Sequence, residues 1–512
     1  MAENLASFKV FCQGGLNTSR DVLSQGETQP GSAVSLINYE PAVTGGYRRI
    51  SGFSNDYGTV TGTGSVLGIC VANGINDGIL ACRTPSSGNN YLHKWNNTTS
   101  AWDAVTTSGS PTMSGVTKVR FTKYNFTAPK VVLTDGINPA ATYDGTTYTQ
   151  ITHANAPTDP KYSAIFQNHL FLAGDPAEDT NLYFSAPLAE TDFSAANGSG
   201  VINVGFPIIA IKTFRDALYI FGTNNIRKLV GNNISNFVLE TVTDNLGCLA
   251  TDSVVEIGGD LLFLSQDGLR PISGTDKIGD VNLETVSKDI QSIFTDVIFD
   301  IDLEGLNAVV IRQKTQFRYF FAGSDSQGII GGFRQTPNGL QFEYSQMLGL
   351  VATCADSGYI GQNEFVLHGD SSGKVHRQEK GNDFDGTDIF SLFQTPFFHM
   401  QDPEQRKIFY TVAAYLRSEG DNSIVMSAVY DYEDVDTLNP TNFTLTTTGA
   451  AAYYNEALYN STAIFDGNPS PVQRINISGS GKSASLKFVT NDSNASHSIQ
   501  GLVITFGVGD RL

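Results

Sequence analysis

Seven short apolar runs recur through the middle of the chain, and each closes on a Gly, Asp or Ser turn before a second, weaker strand. They are Ile79-Leu80-Ala81, Val131-Val132-Leu133, Leu170 to Gly174, Leu218 to Gly222, Leu261 to Ser265, Phe317 to Gly323 and Phe365 to Gly369. Their spacing of roughly 40 to 57 residues is near that of one four-stranded blade of a β-propeller. A typical unit is Ala217 to Val230, where an apolar strand meets Gly222-Thr223-Asn224-Asn225 and an alternating strand follows. Continuous apolarity suits a strand buried on both faces between neighbouring blades, alternation suits one nearer the rim, and the turn residues supply the positive φ of a tight hairpin. One of the hairpins could belong to an insertion, so six or seven blades are expected.

Composition agrees with an all-β chain. Among 512 residues there are 51 Gly, and 11% are aromatic; turns need Gly and Asn, while pleated faces favour β-branched and aromatic side chains. The best helical pattern is Val286 to Phe294, whose apolar residues at i, i+4, i+7 and i+8 share a face. The chain divides into an N-terminal arm (1–54), the propeller (55–394) and a C-terminal β-sandwich-like domain (395–512). In the last, Tyr410 to Leu416, Ser423 to Tyr430, Ala484 to Val489 and Ile499 to Phe506 alternate at wider intervals.

A net charge of −19 argues against gripping nucleic acid, because phosphate binding depends on Lys and Arg releasing counterions. An acidic wall does allow DNA to slide past without sticking; the simpler reading is that the charge keeps a large β protein soluble. Cys12, Cys70, Cys82, Cys248 and Cys354 contain no C-x-x-C pair and read as reduced, buried hydrophobes. No signal-peptide core and no apolar run long enough for a membrane span is present, so synthesis in a cytoplasm and no membrane insertion are expected. Sequons such as Asn97-Thr98-Thr99 and Asn476-Ile477-Ser478 are then chance matches.

No residue set stands out for catalysis or cofactor binding. The seven histidines lack an H-E-x-x-H; His368 and His376 are placed to meet across a hairpin as a structural pair. Asp383-Phe384-Asp385-Gly386-Thr387-Asp388 imitates the front of a calcium loop, but Gln394 stands where the bidentate Glu is needed. Asp216, Asp260, Asp267 and Asp370 sit beside hairpins and could face a central channel, where a glycosidase would need two opposed carboxylates. They are more simply turn and strand-end residues. Neither a G-x-S-x-G elbow nor a P-loop occurs.

The arm holds the densest motif: Gly14-Gly15-Leu16, Gly31, Asn38-Tyr39-Glu40-Pro41, then Gly45-Gly46-Tyr47-Arg48-Arg49-Ile50-Ser51-Gly52-Phe53. The Asn-x-Glu-Pro and Gly-Gly turns bend an extended arm back on itself, after which Tyr47 and Arg49 share one strand face and Arg48 and Ile50 the other. A guanidinium so placed seeks a carboxylate or carbonyl. Tyr47, Arg48 and Arg49 are the candidate interface residues, since segments outside a closed propeller are free to reach neighbours; the alternative is that the arm closes the chain's own blades.

This motif resembles the opening of a group of tailed-phage structural proteins. The segment Phe214 to Gly222 with Ile226 is similar to the matching part of the tail hub proteins of short-tailed phages, also called packaged-DNA stabilisation or tail nozzle proteins. The order of arm, propeller, helix and terminal β-domain agrees in pattern over most of the chain. The resemblance implies a non-enzymatic virion tail component, a homohexamer beneath the portal adaptor that forms a tube holding double-stranded DNA until ejection, with tail fibres or spikes outside. With the charge of −19 it leads us to expect an acidic bore. The alternatives are another tail component, such as a fibre adaptor or baseplate protein, and a glycan-binding or carbohydrate-active propeller.

Overall fold

A computed structural model describes residues 5–508 except 44, 89, 110, 112–114, 274–284, 301–302, 322–326, 337–338, 401, 435 and 448–470. The end of the Phe317 to Gly323 run and the residues before Leu5 lie outside them. Among the described residues, seven mainly antiparallel sheets form the blades of a propeller. Each apolar run read from the sequence is the second strand of a blade: Ile79–Thr84, Pro129–Thr134, His169–Ala173, Ala217–Phe221, Asp260–Ser265, Gln316–Phe320 and Asn363–Gly369. Those in blades three and four are buried at every position, as a strand packed on both faces must be.

The innermost strands precede these runs: Thr63–Val71, Arg120–Asn125, Tyr162–Phe166, Ala210–Phe214, Val255–Ile257, Asn307–Ile311 and Cys354–Ile360. At every joint between blades a polar group near the axis bonds a neighbouring backbone. Thr122 Oγ1 donates to Ser163 O (2.9 Å), Thr213 Oγ1 to Ile165 O (2.6 Å) and Thr251 Oγ1 to Ile209 O (2.7 Å). Tyr319 Oη donates to Ser253 O (2.7 Å), Ser357 Oγ to Val310 O (2.6 Å) and Thr353 Oγ1 to Val66 O (2.8 Å). The seventh joint uses Val119 N and Leu67 O (2.9 Å). These bonds satisfy buried carbonyls that a wedge-shaped stack of sheets would otherwise leave unmatched.

Ring closure depends on the arm. Phe53–Ser54 pairs with Val375–Gln378 as the fourth strand of blade seven, so the two ends of the propeller sequence meet in one sheet. Phe53 stacks on Phe384 (4.9 Å) and stands edge-on to His368 and His376.

Blade six does not end at the rim. Its outer hairpin, Gln327–Thr336 and Gly339–Leu348, continues through Ser35–Ile37 of the arm into Ile389–Gln394, Ala484–Asp492, Asn422–Tyr430 and Phe443–Thr447. This single nine-stranded sheet is both a blade and one layer of the C-terminal sandwich. The facing layer holds Lys407–Ser418, Val472–Gly481 and His497–Val508, joined by Leu5–Phe11, Tyr39–Pro41 and Tyr47–Arg49. The chain is thus all-β, a propeller with an N-terminal arm and a C-terminal β-sandwich, but Ser35–Ile37 and Phe53–Ser54 of the arm and Ile389–Gln394 of the segment before 395 are shared between units. The helical pattern near Val286 is a 3-10 turn, Lys288–Ile290, leading into a helix over Gln291–Asp300, with Ile290 and Phe294 in the core.

Phe53→Ala removes an aromatic side chain from this closing contact. We expect a loss of about 3–5 kcal/mol, read as a lower urea midpoint of Trp95 and Trp102 fluorescence in blade one.

Candidate functional site

Two places gather polar chemistry: the joint where the arm enters the two domains, and the axis of the propeller. The joint starts from Asn38, held at φ +54° and fully buried. Its amide Nδ2 donates to Leu348 O (2.9 Å) and Phe390 O (2.7 Å), and its Oδ1 accepts from Leu348 N (2.9 Å), so one side chain spans blade six and the sandwich strand. Asn is among the few residues that tolerate this left-handed backbone. At Gly46 (φ +82°) a Cβ would run into the Ile499 carbonyl, which restricts the turn before Tyr47 to glycine.

Tyr47, Arg48 and Arg49, the residues singled out as an interface, are engaged within the chain. Tyr47 is fully buried; its hydroxyl accepts from Gly15 N (3.0 Å) and donates to Gly31 O (2.7 Å), drawing the glycines of the motif together. Arg48 forks onto Glu419 of the sandwich (2.6 and 2.7 Å) and reaches Glu40 (3.0 Å). Arg49 is 1% exposed and binds Asp492 Oδ1 (2.9 Å), Asn494 O (3.0 Å), Ile389 O (3.1 Å) and Asp492 O. Both guanidinium groups therefore find a carboxylate, where the alternation led us to expect at least one to meet a carboxylate or a carbonyl.

Glu40, which the sequence reading passed over as part of a turn, is the centre of the joint. It is 2% exposed and accepts from Arg48, Lys314 Nζ (2.6 Å), Arg318 Nη2 (3.3 Å) and Gln316 Nε2 (3.1 Å). Arg318 and Lys314 also bind Glu379, just after the third strand of blade seven. Burial pushes Glu379 upward, but the two cations outweigh it and hold the carboxyl well below its ordinary range.

The axial cavity, about 250 Å³, is lined by residues of all seven innermost strands or the turns entering them. At one side Asp252 takes a fork from Arg120 (3.0 and 2.8 Å) and an ion pair from Lys118 (2.6 Å). Burial raises the Asp252 carboxyl, yet Arg120 and Lys118 overcome it and bring it down to about 2. Elsewhere on the wall Asp356 pairs with Lys123 (2.8 Å) and accepts Val71 N (2.8 Å). Lys212 projects into the same cavity and makes no hydrogen bond or ion pair among the described residues. The axis of the wheel is therefore mixed in charge.

Among the described residues Asp216, Asp260, Asp267 and Asp370 do not line this cavity. Asp260 binds Leu261 N (2.8 Å) and Ser273, Asp267 pairs with Arg270, and Asp370 caps its turn through Ser372 N and Lys374 N. Asp216 is exposed in the hairpin after Phe214. His368 and His376 do meet, stacked at 4.9 Å in register across a hairpin. Asp383 caps Gly386 N (2.8 Å) and Asp385 pairs with Lys374 (3.1 Å), the geometry of a solvated turn. No group of three His, Cys, Asp or Glu among the described residues is arranged to hold a metal. All five cysteines are buried and unpaired, and no described helix is long and apolar enough to cross a membrane.

No protein-family profile and no curated protein matches this chain. Among solved structures it is similar to the extracellular domain of BT4673 from B. thetaiotaomicron, with 12% identity and TM-score 0.40, over 66% of this chain and 41% of that one. The exo-beta-1,3-galactanase from Phanerochaete chrysosporium aligns at 10% identity and TM-score 0.24, over 89% and 100%. BBS1N, solved in complex with ARL6DN, aligns at 11% and 0.36, over 64% and 95%. The chain spans less than half the length of the BT4673 domains it matches.

Asp252→Asn leaves Lys118 and Arg120 without their counter-charge, and we expect a loss of about 2 kcal/mol at pH 7 by urea unfolding. The folded carboxyl, at about 2, lies below the unfolded value of roughly 3.9, so its stabilisation is present above about pH 4 and is lost as pH falls through 2. The gap between wild type and variant should accordingly shrink across that window.

Proposed function

We propose that the chain is a structural component of a short-tailed phage, a tail hub that assembles as a homohexameric nozzle beneath a portal adaptor and retains DNA until ejection. The observation that carries this reading is the fate of the motif on which the resemblance rests. Gly15, Gly31, Asn38, Tyr39, Glu40, Gly46, Tyr47, Arg48 and Arg49 are built into the joint between propeller and sandwich. Such a motif fits a part that must stay rigid under load, and its side chains are spent on cohesion.

The axial carboxylates favour this reading over a carbohydrate-active propeller. A glycosidase acid must keep its proton near neutrality, which requires a raised pKa. Asp252 is shifted the other way, and Asp356 is committed to Lys123 and a backbone amide. A hub needs no free acid there. Tail fibres or spikes would dock on the outside, and duplex DNA would pass through the bore between copies without specific contact.

Negative-stain imaging and light scattering of the purified protein test the proposal. We expect rings of six copies around an open bore, binding at the tail vertex of portal-adaptor complexes. A solitary chain that cleaves a polysaccharide, with the activity lost in Asp252→Asn or Asp356→Asn, would replace it with the enzyme reading.

A further inference from the structure

Two exposed apolar surfaces of opposite charge lie on the sandwich. The first is the outward face of the layer formed by Leu5–Phe11, His497–Val508, Lys407–Ser418 and Val472–Gly481. The core takes Phe8, Val10, Leu502, Ile504, Val412 and Ala414, so alternation turns the residues between them to the other side. The pairing register sets that side out in rows: Leu5, Gly507 and Ile408; Lys9, Val503, Ala413 and Arg474; Phe11, Gly501 and Tyr415. Leu5 is 61% and Phe11 70% exposed, Ile408 and Tyr415 are exposed as well, and the two glycines between them offer no side chain to screen them. None of the four strands contains an Asp or Glu, in a chain that carries 51 of them. Lys9 and Arg474 are exposed and enter no ion pair among the described residues, so the face is apolar with a basic row across it.

The second surface starts where Asn422–Tyr430 leaves the other layer. Three consecutive residues, Asp431 (φ +48°), Tyr432 (φ +59°) and Glu433 (φ +65°), take the left-handed backbone that side-chain-bearing residues avoid. Asp431 pins the turn by accepting Lys482 N (2.6 Å) and Ser483 N (3.0 Å). The Tyr432 ring is held 45% exposed over Phe397, with centroids 4.4 Å apart. The short helix Val22–Thr28 lies against the same residue, since a Cβ on Gly26 would meet the Phe397 carbonyl, and it exposes Val22 and Leu23. Asp21, Glu433 and Asp434 flank these apolar groups, exposed and without an ion pair among the described residues. Of the neighbouring cations, Arg20 bonds Thr28 Oγ1 (3.3 Å) and Lys482 pairs with Glu404 (3.2 Å).

We propose that a second copy of this chain docks head to tail through these surfaces, the patch of Tyr432, Val22 and Leu23 on one copy meeting the basic sheet face of the next. Both surfaces are open in the single chain, so neither covers the other. Apolar groups gain by leaving water together, and the opposite charges decide which patch meets which, because a sheet face against its own copy would set Lys9 and Arg474 against like charges. A contact between two different patches repeats from copy to copy and makes a ring where the rotation closes. The inference rests on the hub proposal for the number six and names the contact that proposal leaves open.

Sedimentation velocity of the full chain tests the contact with two charge-reversed variants, Lys9→Glu with Arg474→Glu on the sheet face, and Glu433→Lys with Asp434→Lys on the opposite patch. All four positions are exposed, so both variants should fold and melt within about 2 °C of wild type. Each variant alone should associate at least about tenfold more weakly than wild type, and an equimolar mixture should regain the wild-type particle, because each reversed surface then meets a reversed partner. Raised salt should weaken wild type and the mixture alike. Wild-type assembly retained by both variants would overturn the contact and leave the hub proposal standing. A mixture no better than either variant alone would mean that like faces pair, and would overturn it as well. A wild-type chain that stays single at every concentration would remove both the contact and the hub.

Discussion

The architecture depends on a buried carboxylate. Glu40 sits between Arg48, Lys314 and Arg318, and through them it touches the arm, blade six, blade seven by way of Glu379, and the sandwich by way of Glu419. Burying ions costs several kcal/mol each unless every lone pair and proton is matched, so a network of this kind constrains geometry more than it adds stability. Here the matching is extensive: both Glu40 oxygens accept, and Gln316 and Gln378 fill the remaining guanidinium positions of Arg318. Two domains that would otherwise meet through a linker are bolted at one point.

Around that point the backbone is continuous as well. The sheet that begins at the axis with Asn307–Ile311 ends at the sandwich edge with Phe443–Thr447, and Ser35–Ile37 is the strand that makes the crossing. The arm then supplies the outer strand of blade seven. A single excursion of about twenty residues thus joins the domains and closes the ring, which leaves the wheel few ways to open locally. Such rigidity would suit the nozzle wall proposed above.

Much of this was legible in the residues. Apolar runs such as Leu218 to Phe221 announced the blades because a doubly buried strand needs no polar face. The turn chemistry of Asn38 and Gly46 and the facing of Tyr47 with Arg49 were equally readable, since both follow from local backbone rules. The innermost strands were harder to see. Lys118, Arg120 and Thr122 alternate toward the axis in a pattern that looks like any exposed strand, and only closure of the ring turns them inward. Their alternating basic character was the available signal. Glu40 left none, because nothing local says that Lys314 and Arg318, some 275 positions away, will meet it. Nor did local patterning show that Ser35–Ile37 would be claimed by two domains.

The Glu40 joint should make propeller and sandwich a single cooperative body. Trp95 and Trp102 both report blade one, while hydrogen exchange of His497–Val508 reports the sandwich. In wild type the two urea transitions should coincide. In Glu40→Gln, which leaves Arg318 and Lys314 short of a counter-charge, the sandwich transition should separate and fall by about 3–5 kcal/mol relative to wild type. Coincident transitions within about 0.5 kcal/mol of wild type would contradict the account.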